Sequence, residues 1–124
     1  MKVAGFGYRK GARVDSLAEA LALAVEAHGD IDCLVAGSRK RGAVEALGLR
    51  RNLQVKLVDE GVFKEISTMT QSEASLREKG TGSFAEAVAL AGAGRDARLL
   101  GPRMVSKDRM ATCAVAEVAE VPWL

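Results

Sequence analysis

A chain of 124 residues with 18 Lys and Arg against 16 Asp and Glu has a formal net charge of +2. That is enough for one compact domain, but it lacks the general positive field of a nucleic-acid binder. Aromatic residues make up 4% and hydrophobic residues 48%, so the core is expected to be aliphatic, with no stacking platform for single-stranded nucleic acid. No apolar run is long enough to span a bilayer and the N-terminus has no apolar leader, which leads to the expectation of a cytoplasmic protein without a membrane partner.

In chain order, Val3 to Gly7 reads as a short buried strand followed by a glycine-bracketed turn. Ser16 and Glu19 stand at capping-box spacing, and Leu17, Leu21, Ala24, Val25 and His28 recur at helical intervals up to Gly29. Ile31 to Ala36 is a second strand, Ala43 to Leu47 a short helix closed by Gly48, and Leu53 to Val58 a third strand. Asp59 can cap one turn through Val62, Phe63 and Ile66. Ser67 to Lys79 is polar, shows no apolar period and reads as a mobile loop over the site. Ser83 and Glu86 form a second capping box, opening a helix through Ala87, Val88, Leu90 and Ala91 that stops at Gly92 or Gly94. Ala97 to Leu100 is the fourth strand. Met110 to Val121 is a fifth, returning after too few residues for a crossover helix, so it is expected to pair antiparallel.

Strands alternating with helices define an α/β class. The expectation is a three-layer α/β/α unit, residues 1–124 as a single domain, with a mostly parallel five-stranded sheet whose last strand is antiparallel. In such a sheet the strand-to-helix turns and helix starts project from the C-terminal edge of the strands, where open α/β sheets bind ligands. Four basic or glycine-rich segments fall there: Gly7 to Ala12, Ser38 to Gly42, Gly80 to Ser83, and Pro102 to Arg109. Nine of the 18 basic residues lie in or beside them: Arg9, Lys10, Arg13, Arg39, Lys40, Arg41, Arg103, Lys107 and Arg109.

Helix N-termini add unpaired N–H groups and partial positive charge, so the expected ligand is a small molecule with several anionic groups. Backbone amides at Gly7, Gly11, Gly80 and Gly82 are expected to approach it, and Thr81 and Ser83 to donate hydrogen bonds. Arg9, Lys10, Lys40, Arg103 and Lys107 are expected to pair with its charges, with Tyr8, Ser38 and Arg39 lining the same turns.

Gly5, Gly7 and Gly11 also form G-x-G-x-x-x-G, one residue longer than the dinucleotide fingerprint, with Ser38 to Arg41 placed for a 2′-phosphate. An NADP-binding redox module is therefore an alternative, although Arg9 and Lys10 crowd its pyrophosphate turn. No base stands at a predictable spacing from Thr81 or Ser83. Ser83 and Glu86 are accounted for as caps and His28 as the end of a helix, so no catalytic residue is assigned. Cys33 and Cys113 lie in apolar runs without metal-ligand spacing and read as buried structural thiols. Neither a metal nor a cofactor is called for.

Three blocks, V-A-G-F-G-Y-R-K-G-A, G-T-G-S-F-A-E-A-V-A-L-A and L-L-G-P-R-M-V-S-K-D-R-M-A-T-C-A-V-A, carry a resemblance over almost the whole chain. The sequence resembles the CobE family and the C-terminal domain of CbiG proteins of cobalamin (vitamin B12) biosynthesis. Where that family usually has a Cys in the first loop this chain has Tyr8, which removes the thiol and leaves anion binding untouched. A family Lys lies near Arg39 to Arg41, and another is common where Arg103 stands.

The resemblance implies a part in corrin-ring assembly, whose precorrin intermediates bear many acetate and propionate groups. It also implies association with other enzymes of that pathway. A stand-alone chain of this size looks like CobE, and with no general base or nucleophile assigned in the sequence the expected role is that of a carrier or accessory. Full-length CbiG, with additional N-terminal sequence, opens the δ-lactone of cobalt-precorrin-5A and releases acetaldehyde, so a related hydrolase is the alternative.

Overall fold

β1 (Lys2–Tyr8) lies at the middle of the sheet. It is followed by α1 (Val14–His28), β2 (Cys33–Gly37), α2 (Gly42–Arg51), β3 (Gln54–Val58), α3 (Thr81–Ala93), β4 (Arg98–Leu99), β5 (Met104–Val105) and β6 (Ala111–Glu117). The structure, a computed structural model, describes residues 1–38, 41–59, 81–94 and 96–118, with residues 81–83 described through their backbone. The expected turn after Asp59, the loop Ser67 to Lys79, the end of the last expected strand beyond residue 118, and Arg39, Lys40 and Gly80 lie outside the described residues.

The strand order is β3-β2-β1-β6-β4, with β5 also paired to β6. β1, β2 and β3 run parallel, and β6 is antiparallel to β1, β4 and β5. This is the expected α/β class, a sheet that starts parallel and ends with an antiparallel strand. It has six strands among the described residues rather than five: the expected fourth strand, Ala97 to Leu100, is β4, and β5 is an added short strand within the segment Pro102 to Arg109 that was expected to be a turn. Leu99 pairs with Ala116 and Met104 with Cys113, so the edge segment is two residues longer than the stretch it faces. Pro102 lies in that excess; it has no N–H for the ladder and favours an edge-strand bulge.

Alternation along β1 builds the two outer layers. Ala4 and Phe6 pack with Leu17, Leu21, Leu34, Val44 and Leu47 beneath α1 and α2. Val3 packs with Val35, Ala85, Val88 and Ala89 beneath α3. Burying each of the larger side chains contributes about 1.5–3 kcal/mol. The chain steps outward from β1 to β3 with its helices on one face, then returns to the far edge with α3 on the other, as a constant crossover hand requires.

Gly5 is the contact point of the second face. A Cβ there would stand 2.7 Å from the Ala85 carbonyl oxygen and 2.7 Å from the Ala89 Cα, so only glycine lets α3 lie directly on β1.

Helix ends differ from the sequence expectation at three places. α1 starts at Val14 after Arg13, which makes no side-chain cap, so Ser16 lies inside the helix and is not its cap. α3 already includes Thr81, placing Ser83 in its first turn instead of ahead of it. α2 runs past Gly48 to Arg51 and closes at Asn52, whose left-handed φ of 57° an Asn tolerates well. The expected stops at Gly29 and Gly94 hold, their N–H groups donating to Val25 and Leu90 carbonyls. Among the described residues no helix is long and apolar enough to cross a membrane.

Candidate ligand-binding edge

The parallel strands β1, β2 and β3 end at Tyr8, Gly37 and Val58, β5 ends on the same side at Val105, and β6 starts beside them at Ala111. Between Arg9 and Ala12 the chain makes a turn closed by Ala12 N–H donating to the Arg9 carbonyl at 2.9 Å. Gly11 supplies the φ of +89° that this turn needs at its third position. Arg9 N–H donates to the Met110 carbonyl at 2.8 Å, tying the turn to the β5–β6 hairpin. Arg9, Lys10 and Arg13 are therefore brought next to the turn that carries Lys107 and Arg109. All five are exposed. Their side chains have no partner among the described residues.

The hairpin turn is held from within and from α1. Arg109 N–H donates to the Ser106 carbonyl at 2.9 Å, and Arg109 itself adopts φ 61°. Asp108 Oδ1 accepts from Ser106 Oγ at 2.6 Å and Met110 N–H at 3.0 Å, while Oδ2 accepts from Ser16 Oγ at 2.5 Å. Glu19 Oε1 accepts from Lys107 N–H at 2.8 Å. The Ser106 hydroxyl hydrogen bond, then those of Ser16 and Met110, hold the Asp108 carboxyl down at about 2.

Sequence reasoning missed this arrangement because Ser16 and Glu19 carry the same S-x-x-E signature as a capping box. The available signal was Ser106-Lys107-Asp108, a Ser and an Asp two apart in a hairpin turn, where such side chains bond locally.

Further along the edge, Ser38 is exposed and its N–H donates to the Val58 carbonyl at 2.9 Å. Tyr8 is half-buried at the end of β1. Burial pushes its phenol above the ordinary range, opposed by a hydrogen bond from the backbone of Ala43 at the start of α2, with Glu45 adding to the rise. Arg41 and Glu45 form an exposed pair at 3.9 Å, worth little.

Because Ala85 and Ala89 lie over Gly5 and α3 leads to β4 at the opposite edge, Thr81, Gly82 and Ser83 start the helix on the ligand-edge side of the α3 face. Two expected residues are not at the edge itself. Gly7 lies inside the β1–β6 ladder, its carbonyl accepting from Thr112 Oγ1 at 3.3 Å. Arg103 is partly buried in the stretch between β4 and β5, just before Met104 and three residues ahead of Ser106.

Gly5 and Gly7 both belong to β1 rather than to a turn, so the G-x-G-x-x-x-G spacing does not build a phosphate loop. No group of three His, Cys, Asp or Glu residues among the described residues could hold a metal. Cys113 is fully buried, which drives its thiol far above the ordinary range. Burial also raises Cys33, with Lys56 opposing.

This geometry defines an open α/β sheet protein with a cation-bearing rim above the ends of its parallel strands. The chain belongs to the family described as cobalamin synthesis G C-terminus, which it matches over residues 2–116. It is therefore a member of a cobalamin biosynthesis protein family. It is similar to the cobalamin biosynthesis protein chiG from Agrobacterium tumefaciens, at 34% identity and TM-score 0.75 over 97% of this chain and 100% of that one. It is also similar to CobE of the cobalamin (vitamin B12) biosynthetic pathway, at 28% identity and TM-score 0.75 over 95% of this chain and 90% of that one. A cobalamin biosynthesis protein G homolog from Sulfolobus solfataricus shares the fold at 22% identity and TM-score 0.69, over 93% of this chain and 36% of that one. No curated protein matches the sequence.

Proposed function

We propose that this protein binds a polycarboxylated precorrin or corrin intermediate at the C-terminal edge of its sheet, as a carrier or accessory to the enzymes that modify the ring. The observation that carries the reading is the 2.8 Å bond from Arg9 N–H to the Met110 carbonyl, which joins two cationic turns from opposite ends of the sequence. Family membership supports the ligand class, since the acetate and propionate arms of these macrocycles match a row of separate cations. The start of α3 at Thr81 and the end of β2 before Ser38 extend the proposed site along the edge, and Arg103 flanks it from the stretch between β4 and β5.

Magnitudes favour a multiply charged ligand. One charge-assisted hydrogen bond contributes about 1.5–3 kcal/mol, whereas association costs roughly 4–15 kcal/mol. A single carboxylate therefore does not bind here, and several acting together do. Among the described residues the serine–carboxylate contacts at this edge are those of Ser16 and Ser106 with Asp108. That carboxylate already accepts three hydrogen bonds that tie the turn together, an arrangement that supports binding over lactone hydrolysis.

The test is a titration with cobyrinic acid, a corrin with free carboxylates, alongside cobinamide, whose corresponding groups are mainly amides. Binding of the acid with at least about tenfold preference is the expected result. Equal affinity for both, or binding of neither, removes the proposal.

A further inference from the structure

The most elaborate polar cluster among the described residues lies just beside the proposed site. Asp108 stands between Lys107 and Arg109 and places a negative charge in the middle of a cationic turn. By Coulomb's law alone this opposes an anionic ligand. Its two oxygens are instead occupied by three donors drawn from three parts of the fold: Ser16 on α1, Ser106 at the turn entrance, and Met110 N–H at its exit. Ser106 is only 2% exposed, and its Oγ also accepts from Ala111 N–H at 3.1 Å, so the anchor is buried while the turn above it is not. Glu19, one helical turn beyond Ser16, takes the N–H of Lys107. The same Met110 accepts from Arg9 through its carbonyl, so the network ends on the neighbouring cationic turn.

We infer that Asp108 is a positioning residue of the anion site: through Ser16, Ser106 and Met110 it fixes the hairpin turn so that Lys107 and Arg109 stand beside Arg9 and Lys10 and meet adjacent carboxylates together. The inference rests on the proposed binding of a polycarboxylated tetrapyrrole. Its ligand chemistry is a pair of neighbouring carboxylate arms on one macrocycle. Ordering the two turns in advance removes part of the entropic cost of gathering four long cationic side chains around a ligand.

The sign of one substitution separates positioning from simple charge. Asp108→Asn removes a negative charge from a cationic turn, weakens the two hydrogen bonds that Oδ1 accepts and replaces the oxygen that accepts from Ser16 with an NH2 group. Electrostatics alone therefore predicts tighter binding of a polyanion, and positioning predicts weaker binding. Cobyrinic acid affinities are measured by calorimetry at low salt for the wild type, Asp108→Asn, Ser16→Ala, the Lys107→Ala/Arg109→Ala double variant and the double variant carrying Asp108→Asn, with a thermal melt of each.

The inference expects about a fivefold loss for Asp108→Asn and about a twofold to threefold loss for Ser16→Ala, which leaves every charge in place. It also expects no additional loss from Asp108→Asn once Lys107 and Arg109 are gone, the non-additivity of residues acting through one another. Unchanged or tighter binding by Asp108→Asn overturns it, as does an equal loss with and without the two cations. If Asp108→Asn fails to fold, Ser16→Ala carries the same decision, and unchanged affinity in that variant overturns the inference. Failure of the wild type to bind cobyrinic acid overturns the site itself, a result distinct from wild-type binding that these variants leave intact.

Discussion

Ser16 Oγ and Asp108 Oδ2 stand 2.5 Å apart although 92 residues separate them in the chain, so the first turn of α1 holds the hairpin that precedes the last strand. This bond and the neighbouring link from Lys107 N–H to Glu19 turn an exposed loop into a fixed rim.

Acid should loosen that rim before anything in the core titrates. The Asp108 carboxyl is held at about 2 against an ordinary 3.8, first by the Ser106 hydroxyl, then by Ser16 and Met110. A folded-state value below the unfolded one means that the charged form favours folding. The contribution is complete above about pH 4 and is lost as the pH falls toward 2. In melts of wild type and Asp108→Asn, the difference in Tm stays constant down to roughly pH 5 and closes between about 4 and 2. A difference that persists unchanged at the acid end contradicts the hydrogen-bond assignment.

Gly5→Ala separates a packing glycine from a phosphate-loop glycine. The added methyl meets backbone atoms of Ala85 and Ala89, which cannot rotate away. Urea denaturation should show a loss of about 1–3 kcal/mol or more. A variant as stable as wild type but impaired in NADPH binding would return Gly5 to a nucleotide role.

Arg109→Gly should exchange function for stability. Arg109 holds a left-handed φ of 61° that glycine adopts without a Cβ clash. Relief of that strain is partly offset by greater unfolded-chain freedom, leaving a gain of at most about 1 kcal/mol. Affinity for cobyrinic acid falls because one rim cation is lost. A thermal melt and one titration of the same preparation check both halves.

Neither thiol should react in the native state. Cys113 is fully covered and Cys33 is 6% exposed, and burial disfavours the thiolate of each. A disulfide-exchange reagent should label both only after denaturant is added. Rapid native labelling of Cys113 would contradict the packing described.

Much of the architecture was legible because apolar spacing reports burial. Leu17 and Leu21 marked a helix, the Cys33 to Ala36 run a covered strand, and the short return to Ala111 an antiparallel partner. What escaped depended on distant partners. Nothing adjacent to Gly5 announces that α3 crosses it. The S-x-x-E of Ser16 and Glu19 is chemically the same whether it caps a helix or grips a hairpin. Two short strands on either side of a bulge at Pro102 look, in sequence, like one strand and a loop.

The placement of the turns that carry the proposed site was legible to the extent that turns follow strands. Arg9, Lys10, Lys107 and Arg109 fall together as the topology requires. Arg103 lies lower, between β4 and β5, because the hairpin turn begins only at Ser106.

The most direct test of the central claim is the dissociation constant of cobyrinic acid as a function of salt, for wild type and for Arg9→Ala/Lys107→Ala. Screening shortens from about 10 Å at 0.1 M to about 3 Å at 1 M salt. A cationic rim therefore predicts affinity that falls by about tenfold or more across this range in the wild type, and a weaker, flatter dependence in the double variant. Binding that ignores both salt and the loss of Arg9 and Lys107 would contradict it.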